Sequence, residues 1–137
     1  MAEEPFDPAW MARFQERVNA DPEMRVVGDW FTVALSLTFG EARYVVRVER
    51  GRIVEVIPSP RLDVRCAFGL RAPAEVWRRF LSPEPEPLYH DFFALLMRVP
   101  RFVLEGDTLV AMQNARALHR MMNVMREMEA GSHAAVV

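Results

Sequence analysis

The sequence contains no lysine, and all 17 of its basic side chains are arginines. We take this bias as an indication of a codon-biased, bacterial genome. Positive charge is not in excess, because 19 acidic residues give a formal net charge of −2. A nucleic-acid-binding protein needs a basic stripe that displaces counterions from phosphates, and no such stripe is present. The composition therefore argues against nucleic acid as a partner.

Cysteine and long apolar runs are also scarce. Cys66 is the single cysteine, so neither an internal disulfide nor a thiolate metal site can form. No apolar run approaches the ~20 residues that span a bilayer, and the acidic opening Met1–Pro5 is unlike a secretory signal. We therefore expect a cytoplasmic location, no transmembrane segment and no metal or other cofactor.

Enzyme motifs are missing as well. The sequence has no Gly-x-Ser-x-Gly element and no glycine-rich phosphate loop. His90 and Asp91 are the one adjacent pair that resembles acid/base equipment, but Asp91 also suits the first turn of a helix. A catalytic role would require both side chains to converge on a pocket, and His119 and His133 lack the spacing of a metal site. We expect a protein that is not an enzyme.

The length and the apolar content indicate one folded unit. A chain of 137 residues that is 51% hydrophobic is long enough to bury a single sizeable core, and a second core is not expected. We therefore treat residues 1–137 as a single domain with its core over about residues 8–130.

The first half of the chain predicts two helices and a three-stranded meander. Helix starts are indicated at Asp7-Pro8 and Asp21-Pro22, where aspartate can cap and proline can begin a helix. The apolar period then changes from 3.6 to 2, which predicts strands over Phe31–Phe39, Ala42–Glu49 and Arg52–Ile57. Tight reversals at Gly40-Glu41 and Arg50-Gly51 make the pairing antiparallel.

The second half predicts two more strands and three helices around a stiff surface loop at Ser82–Pro87. The expected strands are Leu62–Leu70 and Arg101–Glu105. The expected helices are a short one over Pro73–Leu81, a buried one over Leu88–Arg98 and one long helix from Asp107 to about Ala130.

The terminal helix is predicted to be amphipathic. Its apolar arc holds Ala111, Leu118 and a run of methionines that includes Met121 and Met125, while Arg116 and His119 lie on the polar arc. Asn114 interrupts the apolar arc. Its side chain either contacts the polar end of a ligand or satisfies a backbone carbonyl, because an unpaired buried amide costs ~1–3 kcal/mol.

The order of these elements, and several short stretches, resemble the sterol carrier protein 2 (SCP2) family over roughly residues 14–126. The stretches that carry the resemblance are Val18–Pro22, Gly28–Trp30, Tyr44–Gly51, Leu62–Val64, the helix start near Pro73, and Phe102–Asp107. The sequence departs from the family pattern at Val99–Arg101 and in its proline-rich loop.

The resemblance implies an α+β fold with a five-stranded, mostly antiparallel sheet, helices packed on one face and a long C-terminal helix. It also implies a tunnel between sheet and helices that holds a fatty acyl chain, a sterol or a similar lipid. The residues expected to contact this ligand are Phe68, Trp77, Phe80, Phe92, Phe93, Leu96, Met97, Phe102, Asn114, Leu118, Met121, Met122 and Met125.

Three interpretations of the apolar residues remain open. The methionines, together with Met112 and Met128, either form an adaptable ligand wall or simply fill the core. Alternatively, the protein is an interaction module whose apolar helical face is covered by a second copy of the chain or by a partner enzyme that it assists.

Overall fold

The computed structural model describes residues 5–61, 64–82, 84–87, 89 and 91–136, with side chains described up to residue 130. Its elements follow one another as α1 (Pro8–Ala20), α2 (Pro22–Val27), β1 (Val33–Phe39), β2 (Ala42–Glu49), β3 (Arg52–Pro58), β4 (Phe68–Ala72), α3 (Ala74–Phe80), α4 (Phe92–Arg98), β5 (Val103–Gly106), α5 (Thr108–Gln113) and α6 (Ala115–Val136).

The five strands form one sheet in the order β3-β2-β1-β4-β5. The β1–β2, β2–β3 and β4–β5 pairs are antiparallel, and β1 pairs with β4 in parallel, with Leu35 opposite Phe68. Ser36 lies opposite Gly69, and a Cβ atom on Gly69 would stand only 2.0 Å from the Ser36 hydroxyl oxygen. The predicted α+β class with a mostly antiparallel sheet and a long terminal helix is confirmed.

Aspartate side chains begin the helices at the predicted places. The carboxylate of Asp7 accepts a hydrogen bond from the Trp10 amide at 2.8 Å. Asp21 accepts one from Met24 at 2.9 Å, and Asp107 starts α5 in the same way. These side chains satisfy amides that have no partner within the helix, which explains why α1, α2 and α5 begin where they do.

The fourth strand is shorter than predicted, because it begins at Phe68 and not at Leu62. Val64–Cys66 are not in a strand, and Leu62 with Asp63 lie outside the described residues. The alternation of apolar residues there is real, but β4 pairs only from Phe68 onward, where β1 lies on one side of it and β5 on the other. Strand formation needs that neighbouring ladder as well as the pattern.

Two helix predictions are also corrected. The buried helix begins at Phe92 and not at Leu88, which lies outside the described residues together with His90. The terminal segment is two helices and not one, because Asn114 leaves helical geometry at φ −112° and ψ 28°. Its side chain donates to the Val110 carbonyl at 2.9 Å, while its own carbonyl accepts from the Leu118 amide at 3.0 Å.

The core lies between one sheet face and the helices. Alternate residues of β1, namely Leu35, Leu37 and Phe39, share one apolar cluster with α1 and with the predicted apolar arc of α6. In that arc, Leu118, Met121, Met122 and Met125 have no exposed surface. The Trp10 indole of α1 donates a hydrogen bond to the buried Glu129 carboxylate of α6, so the two helices are joined by a polar contact as well.

A close approach of two glycines joins the loop after α2 to the β2–β3 hairpin. A Cβ atom on Gly51 would lie 2.8 Å from the Gly28 Cα atom, and Gly51 has φ +79°. The Gly51 amide also donates to the Phe31 carbonyl at 2.9 Å. A side chain at position 51 therefore meets both a steric and a conformational penalty.

We predict that Gly51→Ala lowers the free energy of unfolding by about 2 kcal/mol, measured by urea denaturation. Gly40→Ala is the matched control, because Gly40 also has positive φ but its added Cβ meets no atom closer than 3.3 Å. We expect the control to cost about 1 kcal/mol. Equal losses in the two variants would show that the contact with Gly28 is unimportant.

Candidate ligand-binding site

An apolar groove opens at the β5 edge of the sheet, between α4 and α5. Its volume is about 530 Å³. The groove is lined by Phe93, Leu96, Met97, Val99, Pro100, Phe102, Val103, Leu104, Thr108 and Met112. Nearly all of these side chains are apolar, so the groove offers an apolar ligand contact on several sides.

The sequence of α4 explains why the groove has an apolar wall. The Asp91 side chain caps this helix by accepting from the Phe93 amide at 2.9 Å. Phe92 and Leu95 are fully buried in the core, whereas Met97 is 82% exposed. A helix that is apolar almost all round can bury only part of its surface here, and the remaining apolar side chains face the groove.

An aromatic cluster supports the groove from behind. The ring of Phe102, which lines the groove, lies 4.9 Å from the Trp77 ring and 5.8 Å from the Phe92 ring, measured between centroids. Trp77 in turn contacts Phe80, and its indole donates to the Thr38 carbonyl at 2.8 Å. The groove wall is therefore continuous with the central core of the molecule.

Arg126 of α6 holds the segment that leads into α4. Its guanidinium donates to the Phe80 carbonyl at 2.8 Å and to the Tyr89 carbonyl at 2.6 Å, and it lies 4.3 Å above the Phe80 ring. Burial lowers the pKa of this guanidinium from its ordinary value. These contacts fix the ends of the proline-rich segment against α6 and so help to place α4.

A second, more polar cavity of about 550 Å³ lies between α2 and α6. It is lined by Glu23, Val26, Val27, Asp91, Phe93, Ala115, Arg116, His119 and Arg120. Phe93 lines both this polar cavity and the apolar groove. The His119 ring stacks on the Phe93 ring with 5.5 Å between centroids, so this pair separates the two spaces.

Charged residues fix the wall of the polar cavity. Arg120 donates to both carboxylate oxygens of Asp21, at 2.7 and 3.0 Å, and also reaches Glu127 at 3.2 Å. The hydrogen bond from Arg120 lowers the pKa of Asp21, and the same bond raises the pKa of Arg120. Because Asp21 also caps α2, this pair ties the start of α2 to α6.

The polar cavity contains one exposed cationic side chain and one buried nitrogen without a partner. The Nδ1 atom of His119 has no hydrogen-bond partner among the described residues, and the nearest Asp91 oxygen is 4.0 Å away. Arg116 is exposed at the same cavity. The Arg116 guanidinium can pair with the polar end of an amphipathic molecule, whereas the His119 Nδ1 atom is itself buried and must first be uncovered. Within the described residues, no three His, Cys, Asp or Glu side chains are placed to hold a metal ion.

The structure divides the ligand residues predicted from the sequence into two sets. Phe93, Leu96, Met97 and Phe102 line the groove, together with Met112. Eight of the others have at most 1% of their surface exposed and are packed in the apolar core. This buried set comprises Phe68, Trp77, Phe80, Phe92, Leu118, Met121, Met122 and Met125.

Asn114 belongs to neither set. It does not line the groove, and its side chain is bonded to the Val110 carbonyl at the end of α5. Of the two interpretations of this residue, the structure therefore shows the contact with a backbone carbonyl.

Sequence reasoning placed Arg116 and His119 on the polar arc but did not assign them to a site. The signal was hidden because the cavity forms only when α2 and α4 pack beside α6, which brings residues far apart in sequence together. The interpretation of His90 and Asp91 as an acid/base pair concerns a residue outside the described ones. Asp91 itself caps α4.

No known family profile matches the sequence, and no curated protein matches it. Solved structures do match. The fold is that of an α+β protein with a five-stranded mixed sheet covered by helices. Among known folds it matches the sterol carrier protein 2 fold, as predicted from the sequence.

Three solved structures illustrate this similarity. A crystal structure of sterol carrier protein 2 aligns with a TM-score of 0.72 and 21% identity over 90% of this chain and 98% of the other. A conserved hypothetical protein from Thermus thermophilus, described as possibly a sterol carrier protein, aligns with a TM-score of 0.69 and 21% identity. This alignment covers 92% of this chain and 90% of the other. The UbiJ-SCP2 ubiquinone synthesis protein aligns with a TM-score of 0.53 and 14% identity. This alignment covers 88% of this chain and 99% of the other.

The structure also bears on membrane insertion. Among the residues that it describes, no helix has the length and apolar character needed to cross a bilayer.

We predict that Asp21→Asn lowers the free energy of unfolding by about 1–3 kcal/mol at pH 7, because the amide keeps the cap but loses the charged bond to Arg120. The folded-state pKa of Asp21 is lowered, so its contribution is present above the ordinary aspartate pKa and is lost as pH falls through the folded value. Urea titrations at pH 7 and near pH 3 should show the difference shrinking at the lower pH.

The control is Asp29→Asn. Asp29 pairs with Arg50 across 2.8 Å, but both side chains are largely exposed. We expect a loss of at most about 0.5 kcal/mol. A difference for Asp21→Asn that persists unchanged at low pH would contradict the assigned role of the charge.

Proposed function

We propose that the protein binds a single apolar or amphipathic chain, such as a fatty acyl chain, with its tail in the apolar groove. The observation that carries this proposal is the groove itself, about 530 Å³ of apolar-lined space on a sterol carrier protein 2 fold. The volume lies in the usual range for small-molecule sites, about 300–1,000 Å³. Neighbours that bear the name of sterol carrier support the same ligand class.

Binding would be driven by desolvation of the tail. Each buried methylene contributes ~0.8 kcal/mol, so ten methylenes supply on the order of 8 kcal/mol before the costs of association are subtracted. Such contacts are non-directional, and we therefore propose loose selectivity for the shape of the tail. Neither covalent chemistry nor a cofactor is part of this function.

We propose that buried side chains behind the groove repack to enlarge the site. Phe102 is 3% exposed and joins the groove to Trp77 and Phe92 behind it. Met121, Met122 and Met125 lie in the same core cluster, and methionine is unbranched and repacks readily. We propose that a longer tail displaces the Phe102 ring and continues toward these methionines, which would form the tunnel expected from the sequence.

The polar cavity would hold the opposite end of an amphipathic ligand. It adjoins the groove at Phe93 and presents Arg116, and we propose that movement of the Phe93 ring uncovers the buried Nδ1 atom of His119. A carboxylate or a hydroxyl can pair with these groups. Movement of the Phe93 ring away from His119 would connect the two spaces.

The test is titration of delipidated protein with a fluorescent fatty acid. We expect saturation near one ligand per chain. Leu96→Asp places a charge in the groove wall, and it should weaken binding at least tenfold, since a buried unpaired carboxylate is costly. Leu109→Asp is the control, because Leu109 is 64% exposed on α5 and is not a groove-lining residue.

Absence of uptake by the wild-type protein would refute the proposal. Equal weakening by Leu96→Asp and Leu109→Asp would move the ligand away from the groove. Thermal unfolding of both variants without ligand checks that each remains folded.

A second candidate function is that of an accessory protein whose apolar face is covered by a partner. Met97 and Met112, which line the groove, are 82% and 43% exposed, and Leu109 on α5 is 64% exposed. The neighbour named as a ubiquinone synthesis protein has the same fold. Size-exclusion chromatography with light scattering detects a dimer, and Met97→Asp should then yield a monomer. A wild-type monomer would exclude the homodimer form of this function.

A further inference from the structure

His119 lies where the polar spaces of the molecule meet the apolar groove. Its ring stacks on the Phe93 ring with 5.5 Å between centroids and 6° between the planes. Phe93 lines both the groove and the polar cavity, while His119 and Asp91 also line a further cavity of about 430 Å³ whose walls are polar side chains. The stacked rings of His119 and Phe93 therefore form a partition between the groove and the polar spaces.

The Nδ1 atom of His119 is the unusual atom of this partition. It is buried and has no hydrogen-bond partner among the described residues, and the nearest Asp91 oxygen is 4.0 Å away. Nearly all buried polar atoms in folded proteins have a partner, so this exception points to a second arrangement of the ring. The two side chains are 38% and 44% exposed as a whole, so solvent protons can reach both.

Protonation supplies the missing bond. Histidine is the side chain that ordinarily changes its charge between about pH 5 and about pH 8. One nitrogen of the neutral ring lacks a hydrogen, whereas both nitrogens of the protonated ring are donors. The Nδ1 atom of a protonated His119 is thus a charged donor that faces the Asp91 carboxylate. A bond of this kind is about 2.7–2.9 Å long, so a movement of about 1 Å closes the gap.

The other charges near the ring come from α2, from the start of α4 and from α6 itself. Three carboxylates and three guanidinium groups line the two cavities with His119: Glu23, Asp91, Glu127, Arg116, Arg120 and Arg126. Arg120 is bonded to Asp21 and Glu127, and Arg126 holds two backbone carbonyls. In the described part of the chain, Asp91 is the carboxylate that comes within 4.0 Å of the imidazole, so it decides how the ring responds to a proton.

Asp91 connects this charge to the groove. Its Oδ1 atom, which is the oxygen nearest to His119, also accepts the Phe93 amide at 2.9 Å and so caps α4. A bond from His119 to this oxygen therefore acts on the residue that forms the other half of the partition. A cation over an aromatic face is attracted to it within about 6 Å, so the charged ring also holds the Phe93 ring more firmly.

We propose that protonation of His119 closes the partition, because the charged ring binds Asp91, holds Phe93 and fixes the start of α4 against α6. A neutral ring releases Phe93 more readily, which connects the groove with the polar cavity and speeds the exchange of ligand. The effect on exchange rests on the proposed function. The pairing of His119 with Asp91 is a property of the protein without ligand and is tested separately.

The first test uses the full chain without ligand. Urea denaturation at about pH 5 and about pH 8 compares the wild-type protein with His119→Phe, Asp91→Asn and the double variant. The phenylalanine keeps a ring for stacking but takes no proton, and the asparagine keeps an acceptor for the α4 cap but carries no charge. Pairing that favours the protonated ring contributes to stability at the lower pH and is lost as the ring loses its proton. We expect the two substitutions to be coupled by about threefold in the unfolding equilibrium constant at the lower pH, and to be independent at the higher.

The second test measures exchange with a fatty alcohol labelled with nitrobenzoxadiazole, a probe that carries no group titrating in this range. Its dissociation into excess unlabelled alcohol is followed by stopped-flow fluorescence. Dissociation from the wild-type protein should be about threefold or more slower at the lower pH. His119→Phe and Asp91→Asn should each give the same rate at both pH values. His133→Gln, which removes another of the three histidines, is the control and should behave as the wild-type protein does.

Absence of coupling at the lower pH would overturn the pairing. Exchange that keeps its pH dependence in His119→Phe, or loses it in His90→Gln instead, would overturn the control of exchange by His119. A wild-type protein that takes up no alcohol would refute the proposed function, and the urea measurements would still accept or reject the pairing of His119 with Asp91.

Discussion

The packing of Trp77 between the sheet and the groove is the contact on which the site depends. Its ring lies 4.6 Å from Phe39 on β1 and 4.9 Å from Phe102 beside β5, and its indole is bonded to the Thr38 carbonyl. Trp77 has no exposed surface and is packed on both sides. The position of β1 therefore fixes the position of Phe102 in the groove wall through the Trp77 ring. The open groove at the sheet edge is thus supported by the closed interior.

The apolar groove and the polar cavity meet at Phe93, and together they match the two ends of an amphipathic molecule. One side of the ring faces apolar side chains of α4, α5 and β5, and the other side carries His119 near arginines of α6. An amphipathic molecule has the same division along its length. The Asp21–Arg120 pair keeps α2 against α6, so the polar part of this arrangement retains its shape without a ligand.

Much of the fold could be predicted from local chemistry. Aspartate caps, the change of apolar period and the glycine reversals are signals carried by neighbouring residues, and they located α1, α2 and the meander correctly. The two main errors have different origins, one a distant partner strand and the other a local side-chain bond. The beginning of β4 depends on β1, and the break between α5 and α6 depends on a bond from Asn114 to Val110 that helical periodicity does not reveal.

The site was less accessible to sequence reasoning for the same reason. Apolar residues at Phe93, Leu96, Met97 and Phe102 were identified, yet periodicity treats an apolar residue that fills the core and one that faces a groove alike. The division between Met97, which is 82% exposed, and Met121, which is fully buried, follows from tertiary packing alone.

The pairing of β1 with β4 has a consequence for strand slippage. Side chains alternate between faces, so a one-residue slip would turn Phe68 and Leu70 toward solvent and carry Arg71 into the apolar layer. On the opposite face, a Cβ atom at position 69 would stand 2.0 Å from the Ser36 hydroxyl oxygen, so any residue other than glycine there requires the Ser36 side chain to move. Both faces of the ladder therefore oppose misalignment, and the parallel pair is held to a single register.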